Sequence, residues 1–205
     1  MKRMAHDQWL SFTDLMASAV AIVMIMFVLS VTMAKVEKEA AARARTDEVL
    51  VALKEIGGEI TVQHLEGMVR VDLREQTIVL EDATFESASA CLDPRATRNL
   101  GHWSERIKTL LKDHGDLEIF IEGHTDRKPL TRAMNRCGAF DDNYTLSTVR
   151  ARNARNVFVA AWPSTLQERV SLAGFGPSHP VPGLGPDDAR QRRVAIRLVN
   201  GSAKP

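Results

Sequence analysis

Twenty consecutive residues, Leu15 to Ala34 (LMASAVAIVMIMFVLSVTMA), carry no charge. At about 1.5 Å per residue a helix of this run is roughly 30 Å long, the thickness of a bilayer's hydrocarbon core. The run predicts a membrane span. The apolar core of a cleaved signal sequence is only about 7–15 residues long, which argues against that reading. The apolar stretch begins at Trp9-Leu10, with Trp9 suited to the headgroup level, so the span is predicted over 9–34 behind a short N-terminal segment, 1–8. Lys2 and Arg3 precede it, whereas Lys35, Lys38, Arg43 and Arg45 follow it, and basic residues alone leave its orientation open.

Asp14 then falls inside the span. A carboxylate at the centre of a membrane helix costs about 2.5–3.5 kcal/mol, less near the interface, and such groups usually face a partner or an ion path. The competing reading is that Ser11, Thr13 or Asp14 caps the start of the helix, where an acidic side chain also gains from the helix dipole. One span cannot form an ion conduit alone, because lipid surrounds most of it and its backbone offers no free ligands. Ala17, Ser18, Ala19 and Ala21 leave room for close approach of partner helices, and equally fit ordinary membrane-helix composition.

The rest of the chain is polar enough to bring mean hydropathy to −0.16. Lys and Arg number 27 against 26 Asp and Glu, so the basic excess of a nucleic-acid binder is missing and no direct nucleic-acid partner is expected. Residues 35–57 are rich in Ala, Glu, Lys and Arg without Gly or Pro before Gly57-Gly58, which predicts a helical connector. Its partial stripe of Val36, Val49, Leu50 and Leu53 suits either a coiled coil with a second copy or packing on a domain surface.

Beyond Gly58 the period falls to two. Short strands are predicted at Ile60–Val62, Met68–Leu73, Ile78–Leu80, Leu117–Glu122, Val170–Ala173 and Arg193–Val199. Helices are predicted over Pro94–Lys112, with Asp93 as N-cap, and Asn143–Ala161. The pattern implies an α+β fold, a mixed sheet with helices on one face, over 58–200, followed by a tail, 201–205. No nucleophile, base and orienting group stand in an arrangement that would make the chain an enzyme, and Ser147 reads as a helix residue. His124 has no partner at ligand spacing, so neither a metal site nor a cofactor is expected.

Ile121-Glu-Gly-His-Thr-Asp126, then Asn143-Tyr-Thr-Leu146-Ser147-Thr-Val-Arg150, then Gly174-Phe-Gly176 and Arg192-Arg193-Val194-Ala-Ile196, resemble the peptidoglycan-binding OmpA C-terminal family. Phe85 and Leu92-Asp93-Pro94 resemble the start of that family's first helix. The loop from Asp126 to Asn143 is longer than usual, Gln191 stands where Asn is common, and Ala154 replaces a usual Val. The resemblance implies that Asp126 and Arg150 hold the diaminopimelate of a wall peptide, with Thr125, Asn143 and Leu146 shaping the pocket. An ammonium and a carboxylate on one amino-acid end suit an Asp and an Arg, one each. The competing reading is a direct structural salt bridge between Asp126 and Arg150. Cys91 and Cys137 are the only cysteines, and in a domain of this family outside the inner membrane they are expected to form a disulfide.

A span with one carboxylate followed by such a domain is similar to the B subunit of MotA/MotB-type stators. Trp9-Leu-Ser-Phe12-Thr-Asp14-Leu-Met16 most resembles the version in the motor of Zorya antiphage systems. The resemblance implies that Asp14 carries a proton or sodium ion and that two copies of this chain sit inside five multi-span A-type subunits. It further implies a bacterial inner-membrane protein with a cytoplasmic N-terminus, a periplasmic connector and a wall-bound C-terminal domain. The alternatives are a passive wall tether of an envelope or secretion complex and a flagellar stator subunit.

Overall fold

The computed structural model describes residues 2–86, 89–130, 133–135 and 137–201; the side chains of 2–14, 133–135 and 200 lie outside the described residues. The chain divides into two compact units, Met1–Thr46 and Asp47–Pro205.

The first unit is helical throughout its described residues and belongs to α1 (Lys2–Val62). From residue 15 to residue 44 every side chain is exposed, large apolar ones such as Phe27, at 64%, included. The most apolar stretch reaches a mean hydropathy of 2.5, and among the described residues this is the one helix long and apolar enough to cross a membrane. A helix that is apolar on all sides needs lipid or other helices as cover. Because α1 begins at Lys2, the backbone at Ser11, Thr13 and Asp14 lies well inside a helix rather than at its start. The capping alternative therefore fails: the unsatisfied N–H groups that a cap would serve belong only to the first turn. Where the Asp14 carboxylate points lies outside the described residues.

The second unit begins earlier than predicted. α1 does not stop at Gly57-Gly58, and the strand expected at Ile60–Val62 is helix. Val49, Ala52, Leu53, Ile56 and Ile60 are all buried, a spacing that lays one helical face on the core. Each interior glycine costs a helix about 1 kcal/mol, whereas each buried Leu or Ile contributes about 1.5–3 kcal/mol, so packing outweighs the glycines. Glu59 fixes the end of the helix, accepting from Trp103 Nε1 at 2.8 Å and from Arg106 at 3.0 Å. The domain thus spans from Asp47 rather than 58, and the second half of the connector is part of its core.

A five-stranded sheet follows, in the order β1 (Val69–Asp72), β2 (Thr77–Glu81), β7 (Arg193–Asn200), β3 (Leu117–His124), β6 (Val170–Gly176). Only β3 and β6 are parallel; the other pairs are antiparallel. Between them lie α2 (Pro94–Asp113), a hairpin of β4 (Ala133–Asn135) and β5 (Gly138–Phe140), α3 (Asn143–Phe158) and the short α4 (Ser164–Gln167). α2 starts where expected, with the Asp93 carboxylate accepting from the N–H groups of Arg95 and Ala96 and Pro94 in the first turn. Leu100, Trp103, Ile107 and Leu111 of α2 meet Ile119, Ile121, Val194, Ile196 and Leu198 of the sheet in one apolar core. The α+β architecture, a mixed sheet with helices on one face, is as the alternating pattern implied.

Two glycines bring α3 onto the sheet. A Cβ at Gly123 of β3 would fall 2.6 Å from the Ser147 carbonyl carbon, and one at Gly174 of β6 would fall 2.6 Å from the Thr148 nitrogen. Helix backbone cannot yield as a side chain does, so Gly123→Ala is expected to cost about 3 kcal/mol, the upper end of the overpacking range. Thermal unfolding checks this, and an unchanged midpoint would show that α3 has room to lift.

Candidate functional site

Four elements converge beside the N-terminal half of α3. β3 ends at His124 and delivers Thr125 and Asp126 to the turn that follows. A 3-10 turn, Asp82–Thr84, follows β2 and presents Asp82. A second, Ala189–Gln191, places Arg192 at the start of β7. α3 starts on its N-cap Asp142, whose carboxylate accepts from the Thr145 N–H, and carries Asn143, Leu146 and Arg150.

These groups form an alternating chain of charge. Arg150 donates from one terminal nitrogen to Asp82 at 2.9 Å; Arg192 donates to the other Asp82 oxygen at 3.0 Å and to Asp126 at 2.5 Å. Asp126 and Arg150 therefore do not meet directly as a salt bridge among these bonds; Arg192 and Asp82 stand between them. Arg150 is further fixed by donation from Nε to the Ser89 carbonyl at 3.0 Å and by stacking over the Phe85 ring at 4.8 Å. Burial opposes the Arg150 charge and pulls its pKa below the ordinary value, against the attraction of Asp82. At Arg192 the sign is opposite: burial works against the charge, but the hydrogen bonds to Asp126 and Asp82 hold the pKa above its ordinary value.

The other expected residues take supporting places. Thr125 is buried, its N–H bonded to the Gly176 carbonyl, while its hydroxyl makes no hydrogen bond. Asn143 donates its side-chain amide to the carbonyls of Asp126 at 3.2 Å and Lys128 at 2.9 Å, which fixes the turn carrying Asp126. Leu146 points into a second apolar cluster with Ala90, Phe140 and Val149, so it supports the site from beneath. Ser147 is fully buried, donating to the Tyr144 carbonyl and accepting from the Gly176 N–H, which makes it a link between α3 and β6. Neither ring nitrogen of buried His124 makes a hydrogen bond; the ring stacks on Phe175 at 5.6 Å, and burial lowers its pKa despite Glu122 at 3.5 Å.

Asp82 and Arg192 are the charged members that sequence reasoning missed. Arg192 stood in a quoted motif without a role, and Asp82, three residues before Phe85, stood in none of the quoted motifs. Gln191, noted as a departure, spans its loop by accepting from the Val181 N–H and donating to the Gly185 carbonyl.

The long segment after Asp126 is not featureless. Its β4–β5 hairpin is tied down by a disulfide between Cys91 and Cys137, across 46 positions of sequence. Closing a loop of that length removes chain entropy worth about 4 kcal/mol from the unfolded state. Cys91→Ser with Cys137→Ser is expected to lower stability by about 2–5 kcal/mol, as is reduction of the wild-type chain. Melting with and without reductant checks this, and labelling of both thiols in the folded, unreduced protein would remove the bond.

A family model described as the OmpA family matches residues 84–193, more than half of the chain and all of the site except Asp82. The chain belongs to the OmpA family. This OmpA-family chain is 24% identical to the Zorya protein ZorB of Escherichia coli over 216 aligned positions, covering 96% of this chain and 89% of that one. Among solved structures it is similar to a MotB-like protein from Desulfovibrio vulgaris, at 25% identity and a TM-score of 0.54, covering 77% of this chain and 98% of the other. It also matches the cell wall anchor of the T6SS from Pseudomonas aeruginosa, at 23% identity, a TM-score of 0.49, and 69% and 93% coverage. The chain is thus OmpA-like and MotB-like in its folded domain, and similar to ZorB along nearly its whole length.

Proposed function

We propose that this chain is the wall-anchored B-type subunit of a MotA/MotB-like ion-driven membrane motor, in the version that serves Zorya antiphage defence. The similarity to ZorB carries this reading, because at 96% of the chain it takes in the N-terminal span as well as the OmpA-family domain. A passive tether needs only the domain and any span. In the proposed assembly, α1 crosses the inner membrane with its N-terminus in the cytoplasm, and the domain binds peptidoglycan in the periplasm. Asp126 takes the ammonium and Arg150 the carboxylate of diaminopimelate, each drawn partly from its resident counter-charge, Arg192 or Asp82.

Asp14 is the proposed carrier of a proton or sodium ion. Its charge changes as the ion moves down its gradient, and each elementary charge crossing 100 mV supplies about 2.3 kcal/mol. The exposed apolar surface from residue 15 to residue 34 is the proposed contact with a second copy and with the multi-span A-type subunits. The test is the composition of the complex purified in detergent after co-expression with a multi-span A-type subunit. Native mass measurement is expected to give two copies of this chain with five of the partner. A stable monomer or pure homodimer would favour a passive tether.

A further inference from the structure

β1 is the last strand on its side of the sheet, and among the described residues no strand lies beyond it. In an antiparallel pair, alternate residues turn their backbone groups toward the partner strand and away from it. The Glu81 N–H bonds to the Met68 carbonyl, and β1 lies on β2 in the register Arg70↔Val79 and Val71↔Ile78, so Met68, Arg70 and Asp72 face β2. Val69 and Val71 therefore turn theirs outward. The Leu65 carbonyl takes the Val69 N–H at 3.0 Å, and among the described residues no backbone group takes the N–H or C=O of Val71. Natural sheets guard such an edge with like charges, proline or a bulge. β1 has neither proline nor bulge, and its two charges are of opposite sign.

Residues 69–73 read Val-Arg-Val-Asp-Leu, which complements its own reverse. Laid antiparallel on a second copy about Val71, this stretch sets Arg70 opposite Asp72 twice, Val69 opposite Leu73 twice, and Val71 on Val71. The two Val71 residues then exchange both backbone bonds. Opposite charges facing one another across strands stabilise the pairing, whereas like charges there oppose it. Both groups are within reach of a partner: the Arg70 and Asp72 side chains are 47% and 36% exposed, 3.9 Å apart in their own chain, while Arg70 keeps Glu81 through Nε at 2.7 Å. The other face matches too. Val69 and Val71 lie on the apolar side, where a groove of about 390 Å³ opens between α1 and β1, lined by Leu53, Ile60 and the half-exposed Leu73 among others. We propose that β1 pairs with β1 of a second copy, joining two five-stranded sheets into one across a two-fold axis beside Val71. This contact rests on the two-copy assembly proposed above. It gives that pair a joint in the folded domain, where the paired spans keep the two edges at high local concentration.

Cys91 and Cys137 are joined and are the only cysteines, so one introduced thiol reports alone. The full chain, assembled in detergent with a multi-span A-type subunit, is treated with a short bis-maleimide. Val71→Cys is expected to link two copies, and Ser171→Cys, exposed on the opposite edge strand β6, is not. Arg70→Glu and Asp72→Lys, each added to Val71→Cys, place like charges opposite one another and should cut the linked fraction about three- to tenfold. Mixed under different tags, these two chains again meet with opposite charges and should link to one another as the parent Val71→Cys does. A folding fault in either variant would not be cured by mixing. Native mass measurement on the same complexes separates this contact from the two-copy reading. If the complex holds two copies, but Val71→Cys links no better than Ser171→Cys or both charge variants link as the parent does, the β1 contact is wrong and the two-copy reading stands. A complex with one copy overturns both.

Discussion

Asp14→Asn is expected to leave the chain inserted and assembled while abolishing ion-driven function. Asn keeps the shape and hydrogen-bonding reach of Asp but has no proton to exchange and no charge to pair with sodium. Asp14 lies within α1, well past the first turn, so its conservation of shape serves no cap, and the substitution disturbs no helix start. Removing a carboxylate from a span should ease insertion, by up to about 2.5–3.5 kcal/mol if the group sits near the bilayer centre. A purely structural Asp14 therefore predicts equal or better assembly with unchanged function, and a carrier predicts equal or better assembly with none. Ion flux in vesicles and protection of cells from phage both measure the outcome. Asp14→Glu, which retains the charge and moves it by one methylene, should be intermediate at best. Full ion-dependent activity of the Asn variant in an assembled complex would reject the motor mechanism.

What could be read from the sequence was whatever local rules decide. The long apolar helix, the N-cap at Asp93 and the alternating Val194, Ile196 and Leu198 follow from composition, capping chemistry and period, and each appears in the structure. The misread at Ile60–Val62 came from treating Gly57-Gly58 as a helix end. Two glycines cost about 2 kcal/mol, and no local rule shows that Val49, Leu53, Ile56 and Ile60 will find a core waiting on the far side of them. The hairpin β4–β5 was hidden for the same reason, since its strands are three residues each and owe their place to a disulfide and to packing on α3.

The site was legible only in part. Asp126 and Arg150 stand in motifs, yet the residues that join them come from positions 82 and 192, and a bond spanning 110 positions leaves no trace in local pattern. Asp82 stands where β2 gives way to a 3-10 turn, and nothing in Glu81-Asp82-Ala83 marks its role in the sequence. Leu146 was read as a pocket residue because it belongs to the motif, whereas its side chain faces the cluster under the hairpin. A motif records which residues are needed at a site without recording which of them face the ligand.

Arg150→Ala is expected to damage both stability and wall binding, and its neighbours separate the two effects. Arg150 is 4% exposed, and its removal takes one donor from the Ser89 carbonyl, bares the Phe85 face and leaves a void beside α3. Breaking a buried ion pair typically costs about 3–5 kcal/mol. Asp82 is one-third exposed and retains Arg192, so about 2–3 kcal/mol is the expected loss here. For a unit of this size that corresponds to a fall of roughly 5–10 °C in the melting midpoint. Arg150→Lys should recover little, because a lysine cannot reach Ser89, Asp82 and the aromatic face at once. Asp126→Asn keeps the shape of the side chain and can still accept from Arg192, so its stability cost should stay near 1 kcal/mol. Its binding to sacculi should nevertheless fall by about 2–5 kcal/mol, the cost of leaving a desolvated ligand charge unpaired. Asp82→Asn completes the set: with no proposed contact to the ligand, it should loosen Arg150 and Arg192 and weaken binding less than Asp126→Asn does. Sedimentation with sacculi, on variants shown by melting to be folded, decides among these. Undiminished binding by both Asp126→Asn and Arg150→Ala would remove the assigned site from this face of the domain.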